Sequence, residues 1–492
     1  MYYYILAMSM PPMKREREDD YFPVKVDNLK VLKTEFYSDE KNKIVQNALC
    51  SNHLYFVSEV REYMQSHDAH FSHTIDPKLV VSNQGLSGRC WMFSLLNVMR
   101  HELIRKLHLP YNFELSESYL SFYEKLEKSN YFLNQFIHSD NIDVHDLKTI
   151  QNLLSGCEEG GTWITCANLI KKYGIIPKSS YSESINSFDT TDVNNILGYK
   201  LREFALLLVK EQDKEKRLKM RENMTKEIYN ILSKMLGTPP TPDEKIEWSF
   251  NIRLDINEQL AREIQRMKNK GNFETLQIKK TLYITPLEFY QKVIIHKLDD
   301  YYRFSNDPRN EYNKYYQSHD DDEVIEGEKN GFYNLSMDDI SKLCIKSIKD
   351  NTPVQFDCDV GQYIHPGREL LDTKCFNYDI LFNTNFNNLS KKDKMDILES
   401  YANHAMVLVG VDLDDSGKPL KWKIENSWGR EHSDAMKSET DDSGYYTMSH
   451  EWFEKFAYNV VVHKKYVTKT MVKHYKKCKE KFIELPEHDI MA

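Results

Sequence analysis

Asn83-Gln84-Gly85-Leu86-Ser87-Gly88-Arg89-Cys90-Trp91-Met92-Phe93-Ser94 decides how this chain is read. It sets a cysteine at the mouth of an apolar stretch in which Met92, Leu95, Leu96, Met99, Leu103 and Leu107 recur three or four residues apart, the spacing of a helix face. A helix N-terminus offers a dipole and unpaired N–H groups, and both lower the pKa of a thiol placed there. Gly88 lets the chain turn sharply into the helix. Gln84, six residues before Cys90, can aim its side-chain NH2 at the spot served by the Cys90 backbone N–H. Two donors converging on one point can hold a developing oxyanion, so the stretch reads as a nucleophilic thiol with its electrostatic partner.

A nucleophilic thiol needs a base and a group to orient that base. His404 opens Ala405-Met406-Val407-Leu408-Val409-Gly410, an apolar run short enough for a buried strand. Twenty-two residues on, Trp422, Ile424 and Asn426 alternate with Lys421, Lys423 and Glu425, which puts Asn426 on the apolar face of a second strand. His404 can then take the Cys90 proton while Asn426 accepts from the other ring nitrogen and fixes the tautomer. Trp428, in Asn426-Ser427-Trp428-Gly429, would shield that bond from water. A lone buried cysteine or histidine is usually a packed core residue, but Gln84, Cys90, His404 and Asn426 stand together, each in a fitting local setting.

Gly88-Arg89-Cys90-Trp91, Asn403-His404-Ala405 and Glu425-Asn426-Ser427-Trp428-Gly429 resemble the papain-like cysteine peptidases. The interval from Cys90 to His404 is more than twice the roughly 130–150 residues of papain itself, and such extra length is characteristic of the bleomycin hydrolase branch, whose bacterial members are called aminopeptidase C. Leu115 to Leu120, Glu159-Gly160-Gly161-Thr162-Trp163, Lys172 to Pro177, Thr285 to Tyr290, Asn306-Asp307-Pro308-Arg309 and Phe356 to Gly361 are similar to landmarks of that branch and keep its order. The resemblance runs from about Asp27 to the C-terminus. It implies an α+β, two-lobed papain-like fold with a helical half, a β-rich half and a large helical insertion. It also implies a thiol aminopeptidase of broad specificity that takes peptides with free N-termini, needs no cofactor, and assembles as a homohexamer.

In that family the chain end folds back into the cleft, and its terminal carboxylate, here that of Ala492, receives the substrate's amino group. Leu485-Pro486-Glu487-His488-Asp489-Ile490-Met491-Ala492 resembles that tail but stops about three residues early, and three extended residues span about 10 Å. A papain-like endopeptidase with an open cleft is therefore a second reading. A third is a non-catalytic scaffold or nucleic-acid-binding assembly; the excess of 75 acidic over 66 basic residues, a net charge of −9, argues against nucleic acid. A transglutaminase-like transferase would usually orient its histidine with an aspartate and leaves Asn426 unexplained.

Cys50, Cys157, Cys166, Cys344, Cys358, Cys375 and Cys478 form no CxxC pair and read as free structural thiols, which points to a reducing, cytoplasmic setting; Cys358 and Cys375 are the two that could approach the site. His101-Glu102 is followed by Arg105 where a zinc motif needs histidine, so no metal is expected. No apolar run reaches the roughly 18 residues that span a bilayer. The basic Lys14-Arg15-Glu16-Arg17 follows the apolar N-terminal residues instead of preceding them, the wrong polarity for a secretory signal.

The boundaries expected are a disordered extension over 1–26, the Cys90-bearing helical half over 27–185, and a helical insertion with oligomer contacts over 186–350. The β-rich half with His404 and Asn426 follows over 351–465, then a C-terminal helix and tail over 466–492. Asp320-Asp321-Asp322-Glu323 reads as a solvated acidic loop.

Overall fold

The computed structural model describes residues 22–137, 147–156, 159–253, 278–295, 297–318, 322–386, 388–429, 443–486 and 489–491. Most of the extension expected over 1–26, together with Cys157 and Ala492, lies outside them. A 12-stranded sheet runs through the molecule, and the strand His404–Leu413 lies near its middle, between Val354–Cys358 and Pro419–Glu425, antiparallel to both. Beyond Val354–Cys358 come Ala457–His463, Tyr301–Ser305, Gly331–Asn334, Tyr315–Gln317 and, at the edge, Ile483–Glu484. Its central place explains the sequence of the His404 strand. A strand covered on both faces reads as a continuous apolar run, and His404 through Val411 are all buried.

The helix Cys90–Leu107 packs on the His404 strand and on the helix Trp163–Tyr173. It is buried nearly all round, with Trp91, Phe93 and Val98 inside as well as the expected Met92, Leu95, Leu96, Met99 and Leu103. Contact on several sides removes the polar face that a surface helix would keep. Glu117–Ile137 packs on the two long helices Thr191–Lys210 and Lys214–Leu236, which bury Leu197, Leu201, Phe204, Ile228 and Leu232 and turn most of their charged residues outward, Arg217 being buried.

Residues 186–350 also contain a hairpin, Ile246–Ile252 with Ile278–Ile284, and three strands of the main sheet. Of the acidic loop, Asp320 and Asp321 lie outside the described residues, and Asp322 and Glu323 differ from the solvated reading. Asp322 is buried, accepts the Asn330 N–H at 3.1 Å and pairs with Lys329, while Glu323 pairs with Lys128 at 3.3 Å. Paired carboxylates of this kind can enter the interior where free ones stay in water.

Two of the landmark motifs meet. Thr285 caps the helix Pro286–Lys292 in a reciprocal box with Glu288, with proline at the first turn. Gly174, at φ +79°, ends the helix Trp163–Tyr173 with its Cα pressed on that cap: an added Cβ would lie 2.2 Å from the Pro286 carbonyl carbon.

Candidate active site

Cys90 is the first residue of its helix, and Arg89 before it supplies no side-chain cap, so the first N–H groups stay unclaimed by the preceding side chain. The backbone N–H groups of Ala405, Trp91 and Cys90 itself face the sulfur and favour its thiolate form. The contact with Ala405 places the thiol beside the residue that follows His404. Gly88 is needed for space and not for a left-handed turn. A Cβ there would lie 2.6 Å from the Glu159 Cβ, and the Gly88 N–H donates to the Glu159 carboxylate at 2.6 Å.

His404, the first residue of its strand, is buried and bonds through Nε2 to the Asn426 Oδ1 at 2.9 Å, which leaves Nδ1 as the ring nitrogen for a proton from the thiol. Asn426 follows directly on the strand Pro419–Glu425 instead of lying within it, and its Oδ1 also accepts the Ser427 N–H at 2.8 Å. The Trp428 ring lies 4.8 Å from the imidazole at 31°, covering it.

Gln84 is held from both ends of its amide. The Ser427 hydroxyl donates to Oε1 at 2.6 Å, and Nε2 donates to the Ser87 carbonyl at 2.6 Å, which leaves the second Nε2 hydrogen for another acceptor. Backbone bonds from Gln84 N to Ser427 O and from Gly429 N to Ser82 O stitch the segment before Cys90 to the segment after Asn426. Gln84, Asn426 and Trp428 thus belong to one hydrogen-bonded unit.

Burial works against the expected low thiol pKa. It pushes Cys90 up to about 12, with Asp357 adding to the push, against the three N–H groups. Burial likewise holds His404 down, to about 4, despite the bond to Asn426. The Cys90 side chain keeps partial solvent contact, which softens its share of the penalty. Each shift concerns one charge made beside a neutral partner. A proton passed from sulfur to imidazole makes both charges at once, and their mutual attraction opposes both costs. Burial thus disfavours either charge alone, and the two charges stabilise each other when they form together.

Several supports were not legible in the sequence. Arg89, almost wholly buried, bonds Glu183 through both terminal nitrogens at 3.2 Å and Ser87 through Nε, bracing the loop between Gln84 and Cys90. Asp359 accepts from Ser400 at 2.8 Å and Asn403 at 2.6 Å, gripping the approach to His404. Glu425 bonds both Arg100 and His101 of the Cys90 helix. Apart from Ser87, their partners lie tens to hundreds of residues away, beyond any local pattern. Cys358 does stand opposite His404 in register, whereas Cys375 packs in a separate cluster with Met64, Leu370 and Phe376. Among the described residues no group of three or more His, Cys, Asp or Glu is placed to hold a metal ion.

The fold and this arrangement define the papain-like α+β class. The sequence pattern of the Peptidase C1-like family matches residues 23–492, and the chain belongs to that family. It is 35% identical over 455 residues to the aminopeptidase C of Lactobacillus delbrueckii subsp. lactis, covering 91% of this chain and 93% of that one. It is 32% identical over 443 residues to human bleomycin hydrolase, covering 87% and 90%. The crystal structure of PepW from Lactobacillus rhamnosis HN001 superposes with a TM-score of 0.83 at 31% identity, over 95% of this chain and 98% of the other.

Proposed function

We propose that this chain is a cysteine aminopeptidase that removes residues from the free N-termini of peptides through a thioester on Cys90. The observation that carries the reading is the thiol at a helix N-terminus, beside the Ala405 N–H, with the neighbouring imidazole bonded to an asparagine. The Cys90 proton passes to His404 Nδ1 as the sulfur attacks the substrate carbonyl carbon. The oxyanion lies between the Cys90 N–H and the free Nε2 hydrogen of Gln84. The C–N bond breaks, the leaving amine takes the proton from His404, and water, deprotonated by the same imidazole, then hydrolyses the thioester. Asn426 holds the tautomer and Trp428 keeps water from that bond.

The tail supports the amino-terminal preference. Met491 is buried in one apolar cluster with Tyr316, Phe332, Met395, Tyr458 and Leu485, and Ala402, two residues before His404, packs against that cluster. The Ala492 carboxylate that follows is the proposed anchor for the substrate amine.

The reading extends to a cytoplasmic homohexamer. The exposed Leu29, Val31, Leu32, Phe36 and Ile44 on the helices Val26–Ser38 and Glu40–Ser51 form an apolar surface suited to contacts between copies. Among the described residues no helix is long and apolar enough to cross a membrane. The test is turnover of free-amine aminoacyl amides against N-blocked peptides. Cys90→Ala should abolish cleavage while keeping the fold, and a folded Cys90→Ala protein with most of the native turnover removes Cys90 from the mechanism.

A further inference from the structure

The motif Asn306-Asp307-Pro308-Arg309 has no part in the chemistry at Cys90, yet it is built with more polar bonds than a turn needs. The Asp307 carboxylate is fully buried and accepts from the Arg309 N–H, the Arg309 Nε and terminal nitrogen, and Asn310 Nδ2, all within 2.8–3.0 Å. Asn334 fixes the turn from behind, accepting the Asp307 N–H and donating to the carbonyls of Asp307, Asn310 and Glu311. The guanidinium is thus held in one orientation, with a planar fork presented outward.

What it faces is the chain end. The same Arg309 nitrogen that bonds Asp307 also donates to the Asp489 Oδ1 at 2.8 Å, and that oxygen accepts the Met491 N–H at 2.9 Å. Asp489 therefore does two things at once: it ties the tail to Arg309 and closes the turn that turns Met491 inward. Upstream, Ile483–Glu484 adds as a parallel strand to Tyr315–Gln317, and the Leu485 N–H donates to the Gln317 carbonyl, so the tail arrives from a fixed direction. The Met491 pocket shares a wall with the catalytic segment. Tyr458 lines the pocket and donates to Ser400, which Asp359 grips together with Asn403, next to His404.

We propose that Arg309, aimed by Asp307, is a specificity-determining clasp: by holding Asp489 it keeps the last residues of the chain in the cleft and so restricts cleavage to free N-termini. This rests on the aminopeptidase reading above. A tail held by Met491 burial alone would exchange with solvent more readily than one that also carries a partly buried, charge-assisted bond.

Asp489→Asn keeps size and leaves the Asp307–Arg309 pair intact, and Arg309→Lys keeps charge but loses the fork. The full-length enzyme, each variant and an enzyme lacking residues 490–492 are compared in two ways. One is the ratio of kcat/KM for free-amine over N-blocked substrates. The other is trimming of the C-terminus by a carboxypeptidase, followed by intact-mass spectrometry, which needs no activity. Both substitutions should speed trimming and lower the ratio by about tenfold or more, toward the truncated enzyme's value, as expected for loss of one charge-assisted bond, and Asp489→Asn, which leaves Asp307 paired, should do so with unchanged Tm. If truncation lowers the ratio while both substituted proteins trim and discriminate as the native one does, the clasp is overturned and the tail reading stands. If truncation itself leaves the ratio unchanged, the tail does not set specificity and the clasp falls with it.

Discussion

At the residue scale, the environment of His404 sets the pH dependence. The imidazole must be neutral to accept the thiol proton, and burial lowers its pKa from the ordinary 6.5 to about 4. Protonation therefore removes the base only below about pH 4 to 5, and Cys90, pushed upward by burial, adds no ionisation of its own between there and pH 8. We expect kcat/KM for a non-ionising substrate to rise through a midpoint near 4 and then stay flat to about pH 8; a midpoint near 6.5 would mean an imidazole open to water. Asn426→Ala should lower turnover less than His404→Ala, because the Trp428 ring still packs on the imidazole when the Asn426 bond is gone, whereas His404→Ala removes the imidazole itself. Equal losses in two folded proteins would reverse that order of importance. The arrangement of Cys90, His404 and Asn426 was legible because each sits in a short local setting: a glycine-led helix start, the head of an apolar run, an Asn-Ser-Trp-Gly turn. The direction of the thiol shift was not, since desolvation depends on what the fold lays over the sulfur.

At the element scale, two of the motifs that resemble family landmarks mark a place where two elements touch. Gly174 and the cap at Thr285 are one contact seen from two sides, which gives an ordered pair of stabilities. Thr285→Ala removes one side of a capping box and should cost about 1 kcal/mol. Gly174→Ala puts a side chain at φ +79° with its Cβ 2.2 Å from the Pro286 backbone, which cannot yield as a flexible side chain would. It should cost several times as much, at least ~3 kcal/mol, as a fall in the denaturant midpoint. Similar losses for both would place the glycine's importance elsewhere. The Cys90 helix was legible as a helix but not as a fully buried one, because its periodicity marks only the most apolar face. The strands Tyr301–Ser305, Tyr315–Gln317 and Gly331–Asn334 escaped notice for a different reason. They are three to five residues long and buried on both faces, so they show no alternation, and they lie among charged segments.

At the scale of the whole molecule, the site is assembled from parts far apart in sequence, and one buried ion cluster fastens them. Glu425 precedes Asn426, and its carboxylate bonds Arg100 and His101 on the helix that begins with Cys90, all three side chains being almost fully buried. Burial alone would raise the Glu425 pKa, but Arg100 first and His101 second outweigh it and hold the group below its ordinary value of 4.5. A carboxyl lowered in the folded state contributes stability that is present above its unfolded pKa and lost as the pH falls through the folded one. For Glu425 that window lies below about pH 4.5. Its loss should also disturb the register of the thiol against the imidazole, since one arm of the cluster leads to Cys90 and the other to Asn426. Glu425→Gln keeps the volume but leaves Arg100 as a buried, unpaired charge, so we expect a loss on the order of 3 kcal/mol or more at pH 7. As the pH falls below about 4.5 the native protein begins to give up that contribution, so the two denaturation midpoints should draw closer. Parallel midpoints over the whole range from pH 7 to 3 would show that the Glu425 charge does not fasten the Cys90 helix to the Asn426 strand.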